Sequence, residues 1–280
     1  MEKKYFEIFD NIIVDYKDNP IDLLNIGDTG GEIDYLRFHR HDYLRTLHDI
    51  CGLFQDEAVT KTKILEIGSF LGALSIALSH LGFLVTAYDI PEFNNNERLR
   101  QLFYENKVDC IAGNLRNFKL PFNDEYFDAV VICETLEHLN FNPLPVLYEI
   151  NRITKPQGFI YLSMPNQASI RNRLKILSGR SIHPPISQFF QQLDSSQNMI
   201  VGIHWREYTL AETVELLEGM GYKIILKSYW HPTDVYMDRT IKNMIQRLFF
   251  QVHSLKPYLV TFGRKQKRPE CHFWFTEANR

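Results

Sequence analysis

The chain has 280 residues, a formal net charge of -3 and 45% apolar residues, enough for a sizeable core built as one domain or as a core with a cap. The charge balance excludes a molecule organised around a broad basic surface, and no stretch reaches the roughly 18 apolar residues of a membrane span. Met1-Glu2-Lys3-Lys4-Tyr5 lacks the apolar run of a secretion signal, so a cytoplasmic protein is expected.

Residues 1–60 read as a polar, aromatic-rich leader with little periodicity before Tyr35. From there Leu36, His39, Tyr43, Leu44, Leu47, Ile50 and Cys51 recur at helical intervals. The same helix carries Arg37, Arg40, Arg45, His41 and His48, a basic face that is either solvated or turned to an anionic substrate. Next, Lys63 to Ile67 reads as a buried strand, Gly68 and Gly72 punctuate a turn, and Leu74, Ala77, Leu78 and Leu81 follow helical spacing. A second strand, Phe83 to Tyr88, ends in Asp89. Strand, glycine turn and helix followed about 20 positions later by an acidic residue is the arrangement of a nucleotide pocket, in which the carboxylate takes the ribose hydroxyls.

The dinucleotide pattern G-x-G-x-x-G is absent, and the turn has no G-K-[ST] for phosphate. Glu66, two residues before Gly68, would repel a pyrophosphate and attract a cation. Adenosine joined to a positive charge suits both observations. The turn resembles the E-x-G-x-G-x-G of class I S-adenosylmethionine-dependent methyltransferases, with Glu66, Gly68 and Gly72 matching and Phe70 standing where the family has its middle glycine. Three further stretches resemble the same family in order and spacing: Asp109 to Leu115, Phe127 to Leu139, and Leu147 to Gly158 with the strand Phe159 to Met164 after it.

The resemblance implies a Rossmann-like, doubly wound α/β sheet of seven strands, mostly parallel with an antiparallel last strand, and S-adenosyl-L-methionine as cofactor. It places the cofactor on Glu66, Gly68, Ser69, Gly72, Asp89 and Ile90, with Asn114 and Leu115 at the adenine and Cys133 beneath. One domain over 1–280 is expected: a helical extension (1–60), a cofactor core (61–165), an irregular insertion (166–205) and a C-terminal part (206–280). The insertion, with Pro184-Pro185 and a polar run from Gln188 to Asn198, springs from a ligand-facing strand end and reads as a substrate lid. Thr209 with Glu212 forms a capping box for the next helix, Tyr222 to Trp230 a sixth strand, and Tyr258 to Gly263 the last. Ile241 to Leu255 carry an amphipathic stripe that either packs on the sheet or contacts a membrane. Cys51, Cys110, Cys133 and Cys271 show no C-x-x-C pairing, and Cys110 and Cys133, in predicted buried strands, read as small core residues.

The chemistry is expected after the fourth strand, at Glu134-x-x-Glu137-His138, where i, i+3 and i+4 share a face of a helical turn, together with His204. Small-RNA 2′-O-methyltransferases carry a similar E-x-x-E-H run and a distant histidine around a divalent metal, and ubiquinone-pathway O-methyltransferases carry a related run. Three readings stay open: a metal site, a metal-free general base at His138, or a helix start solvated by its carboxylates. Glu134, His138 and His204 are the catalytic candidates, and no metal ligand is assigned, because spacing alone does not establish a metal geometry. The expected acceptor is a small molecule or a glycan. An RNA 2′-O-methyltransferase and a catalytically silent binding protein are the alternatives; DNA is not an expected partner.

Overall fold

The computed structural model describes residues 3–23, 30–54, 59–193, 202–232 and 250–270. Seven strands form one sheet: β1 (Lys63–Ile67), β2 (Leu84–Asp89), β3 (Val108–Ala112), β4 (Phe127–Cys133), β5 (Thr154–Pro165), β6 (Tyr222–Trp230) and β7 (Tyr258–Lys265). Their order is β3-β2-β1-β4-β5-β7-β6. The first five run parallel, and β7 lies antiparallel between β5 and β6. The central strands β1 and β4 are buried nearly throughout because both faces are covered.

One face is packed by α1 (Lys3–Asp18), α2 (Gly30–Leu53), α3 (Ala73–His80), the short α4 (Pro91–Asn94) and α5 (Glu97–Glu105). The other is packed by α6 (Leu144–Ile153) and α9 (Leu210–Gly219). The expected doubly wound sheet is therefore what forms, including its antiparallel final strand. The capping box at Thr209 is present, with Glu212 accepting from the Thr209 amide at 2.8 Å.

Three local expectations need correction. The leader is not aperiodic before Tyr35: Tyr5, Phe9, Ile12 and Tyr16 make a buried helical stripe on α1, and the Tyr16 hydroxyl donates to the Leu71 carbonyl. Strand β5 begins at Thr154 rather than Phe159, with a register irregularity against β4 between those two residues. The insertion is not irregular where it is described, since it holds α7 (Ile170–Leu177), capped by Ser169, and α8 (Ile186–Leu193). The 241–255 stripe lies mostly outside the described residues, as does Cys271. Cys110 and Cys133 are free thiols, with Cys133 buried. Among the described residues no helix is long and apolar enough to cross a membrane.

Candidate active site

The parallel strands end on one side of the sheet, and the turns that leave them enclose a cavity of about 600 Å³. Gly68 opens the first turn at φ 79°. A Cβ there would stand 2.1 Å from the Thr135 hydroxyl oxygen, so both backbone and space require glycine. The Gly68 amide donates to the Tyr88 carbonyl at 2.9 Å, which joins the turn to β2.

Phe70 occupies the left-handed region at φ 44°, a conformation costing a non-glycine residue about 1–2 kcal/mol. Two sets of contacts hold it there. Its amide donates to Asp89 at 2.7 Å, and its ring packs edge-on against Tyr35 and Phe93 at 5.1 and 5.2 Å. The ring lines the cavity and links α2 to the cofactor turn.

Asp89 receives the Phe70 amide on one oxygen and the Ile90 amide on the other, both at 2.7 Å. Each oxygen keeps lone pairs for a ligand hydroxyl. Burial nevertheless pushes its pKa up from 3.8 to about 6, only partly offset by the two amides. Glu66 sits behind the turn, 2% exposed, and accepts from the Ser75 hydroxyl. Burial moves it from 4.5 to about 8, so at neutral pH it is largely protonated until a cation arrives.

Of the residues assigned to the cofactor, Gly68, Asp89, Ile90, Asn114 and Leu115 line the cavity. Glu66, Ser69, Gly72 and Cys133 stand behind its wall: Ser69 and Cys133 are buried, and a Cβ on Gly72 would overlap the Phe103 ring. Asn114 spends its carbonyl oxygen on the Arg116 amide at 2.9 Å, which leaves its amide nitrogen for a ligand. Glu32, Asp89, Glu92 and Glu134 are the acidic groups of the described wall, and Arg116, paired with Asn140, is its one Lys or Arg. That charge balance disfavours a pyrophosphate and suits the sulfonium of S-adenosylmethionine.

Across the cavity the chain after β4 makes a single 3-10 turn, Leu136–His138. Glu134 lies before it at φ 50°, so the expected sharing of one helical face by Glu134, Glu137 and His138 does not occur. Glu137, His138 and His204 instead form one group, with a donor atom from each within 4.8 Å of the others. The segment carrying His204 is clamped here by Trp205, whose amide donates to the Glu137 carbonyl at 2.8 Å. His138 Nδ1 donates to the Ile203 carbonyl at 3.0 Å, and His204 Nδ1 to Glu207 at 3.1 Å. In their neutral forms both imidazoles thus carry the lone pair on Nε2.

Burial and the adjacent His204 pull His138 from 6.5 down to about 4, so it is neutral at physiological pH. Burial also lowers His204, but the Glu207 bond and the Glu137 charge outweigh it and raise the net value. Glu137 is fully buried with neither carboxylate oxygen bonded, and burial lifts it from 4.5 to about 7. An unpaired buried carboxylate beside two Nε2 lone pairs is a donor set that fits a divalent cation.

Glu134 joins a second group with His39 and Asp42 of α2. No sequence pattern marks Asp42 or Glu207, which also accepts from Asn172 at 2.6 Å; neither lies near the E-x-x-E-H run in the chain. The basic face of α2 is not open to an anion as a unit: Arg37, Arg40 and Arg45 bond Asp34, Asp10 and Asp49, and His39 turns inward to Asp42.

The comparisons agree with this geometry. A methyltransferase-domain family model matches residues 65–162. A ubiquinone biosynthesis O-methyltransferase of Haemophilus ducreyi is 24% identical over 201 residues, covering 70% of this chain and 80% of the relative. One from Xanthomonas campestris pv. campestris is 30% identical over 126 residues, 45% of this chain, which spans about half (52%) of that relative. Among solved structures, a Haloferax volcanii chain in complex with the Trm112 methyltransferase activator has TM-score 0.56 at 19% identity, covering 92% of this chain and 98% of that one. An S-adenosylmethionine-dependent methyltransferase of Mesorhizobium loti has TM-score 0.54 at 13% identity, covering 80% and 98%. Residues 65–162 thus carry a methyltransferase domain, and the fold and cavity around them are those of an S-adenosylmethionine-dependent methyltransferase.

Proposed function

We propose that the chain methylates a hydroxyl oxygen of a small acceptor, with Glu137, His138 and His204 gripping that hydroxyl around a divalent cation. The observation that carries the proposal is the buried, unpaired Glu137 carboxylate beside two imidazoles whose Nδ1 atoms are already committed elsewhere. S-adenosylmethionine supplies the reactive methyl group when bound. Asp89 receives the ribose hydroxyls, Ile90 and Leu115 flank the base, and Gly68 lets the backbone approach.

The acceptor side is walled by Tyr35, Phe141, Leu139 and Trp205, which suits an acceptor with an apolar body. On α8, Phe189 stacks on Trp205 at 4.8 Å and 26°, consistent with the insertion serving as a lid. The relatives' naming as ubiquinone biosynthesis O-methyltransferases supports oxygen as the nucleophile. A divalent ion held by Glu137, His138 and His204 would supply Lewis-acid chemistry that lowers the pKa of the hydroxyl. The chain's own residues then hold oxygen and methyl carbon in line, which supplies much of the acceleration.

The test is a transfer assay with labelled S-adenosylmethionine against phenolic, saccharide and RNA acceptors. Transfer to a small hydroxyl that stops with chelator, returns with Mg or Mn, and fails in Glu137→Gln is the expected result. Turnover that survives chelation but falls about 10²–10⁴-fold in His138→Gln would make His138 a metal-free base. Methylation of RNA alone would overturn the small-molecule acceptor.

A further inference from the structure

The second buried group, His39, Asp42 and Glu134, is built from different elements than the first. Tyr35, His39 and Asp42 lie on one face of α2, at i, i+4 and i+7, and Thr46 ties the same face to Cys133 at 3.6 Å. The Tyr35 ring lies 4.3 Å from His39, fixing the imidazole from above. His39 Nδ1 bonds Asp42 at 2.8 Å, so Nε2 is the ring atom left with a lone pair. Asp42 is 1% exposed and its other oxygen has no partner; Glu134 is 5% exposed and its Oε1 has none. One donor atom from each of the three residues lies within 4.8 Å of the others.

Two carboxylates cannot both stay ionised in such a place without a cation or a shared proton. Among the described residues no Lys or Arg meets that need. The charges acting on Glu134 are those of Asp42, Glu137 and Glu207, all acidic, and the one acting on Asp42 is His39. A histidine whose Nδ1–H is held by a carboxylate, leaving Nε2 to coordinate, is a recurrent metal-ligand arrangement.

We propose that His39, Asp42 and Glu134 bind a divalent transition-metal ion of their own, so that α2 and the loop after β4 together hold a second cation beside the Glu137–His138–His204 group. One imidazole and two carboxylates suit Mn, Fe or Zn. The site makes α2 part of the acceptor chamber. It does not depend on the metal reading of the first group, since it uses none of that group's donors.

The experiment is a metal count on the full chain. Chelator-stripped protein is titrated with Mn²⁺, and bound ions per chain are read by equilibrium dialysis and electron paramagnetic resonance. The isosteric Asp42→Asn, the half-buried His39→Gln, and the first-group variant Glu137→Gln are compared with it. Cofactor affinity and melting temperature report folding. Two ions are expected in the parent protein, with Asp42→Asn and His39→Gln each losing one, or weakening it at least tenfold, while the other is kept. Glu137→Gln is expected to lose the complementary ion. One ion lost only through Asp42 and His39 would keep this site and overturn the metal reading of the first group. One ion lost only through Glu137 would do the reverse, leaving Asp42 and Glu134 to share a proton. No ion in the parent protein, or two that persist in both Asp42→Asn and His39→Gln, would overturn the second site.

Discussion

His138 and His204 meet edge to face with ring centroids 4.9 Å apart, although 65 residues separate the two strand-end segments that the His138–Ile203 bond joins. Each ring is oriented by a bond on its far nitrogen: His138 by a carbonyl, His204 by the Glu207 carboxylate. Glu207 is therefore a positioning residue. Glu207→Gln preserves shape but weakens the hold on the His204 tautomer, and Mn²⁺ affinity at the Glu137 group should fall about 10–100-fold. S-adenosylmethionine affinity should not change in the same preparation. Loss of both would mark a general structural role.

Asp89 holds both backbone donors of its turn and still offers lone pairs to the cavity. Asp89→Asn replaces one acceptor oxygen with a donor. Cofactor binding should weaken by about 1.5–3 kcal/mol, the range for a hydrogen bond to a charged group. Isothermal titration measures it, and an unchanged dissociation constant would move the ribose elsewhere.

Cofactor affinity should also depend on pH. Burial raises Asp89 to about 6 and Glu66 to about 8, above their unfolded values of 3.8 and 4.5. Folded protein thus binds protons that the unfolded chain has released, so what these groups add to stability is complete below about pH 4 and is lost as pH rises through 6 and 8. A ligand that prefers the ionised carboxylates reverses the balance. Its affinity should rise with pH from 5 to 8, by at most about tenfold per pH unit for each group that must ionise. In Asp89→Asn the slope between pH 5 and 7 should flatten.

Gly68→Ala should destabilise the fold by at least about 2 kcal/mol, from the positive φ and the overlap with Thr135. Thr135→Ala removes the two nearest atoms, at 2.1 and 2.5 Å, but leaves Cβ at 2.8 Å. The double variant should therefore recover part of the loss in melting temperature. Full recovery would mean that steric overlap, and not φ, accounts for the cost.

The sheet was legible in the sequence because its signals are local. Strands β1, β2, β4 and β6 read as short apolar runs bounded by glycine, charge or proline, and Thr209 with Glu212 announces a helix start four residues wide. The cavity's position was legible for the same reason, since Gly68 and Asp89, which line it, mark the ends of adjacent strands. The acceptor side was less so. Glu134 leaves the shared face through one positive φ that no pattern announces, and Asp42 comes beside it only because α2 packs against β4. The α1 stripe was present in the letters, at Tyr5, Phe9, Ile12 and Tyr16, but its flanking lysines and aspartates masked it.

The place of β7 between β5 and β6 has a consequence for biosynthesis. Residues 258–265 are translated after both of their neighbours, so the nascent chain carries β5 with a bare outer edge and β6 with nothing to pair with. An unpaired strand edge of this kind is a template for association with other chains. The sheet therefore cannot close until Lys265 has left the ribosome, and until then the outer edge of β5 stays open to other chains.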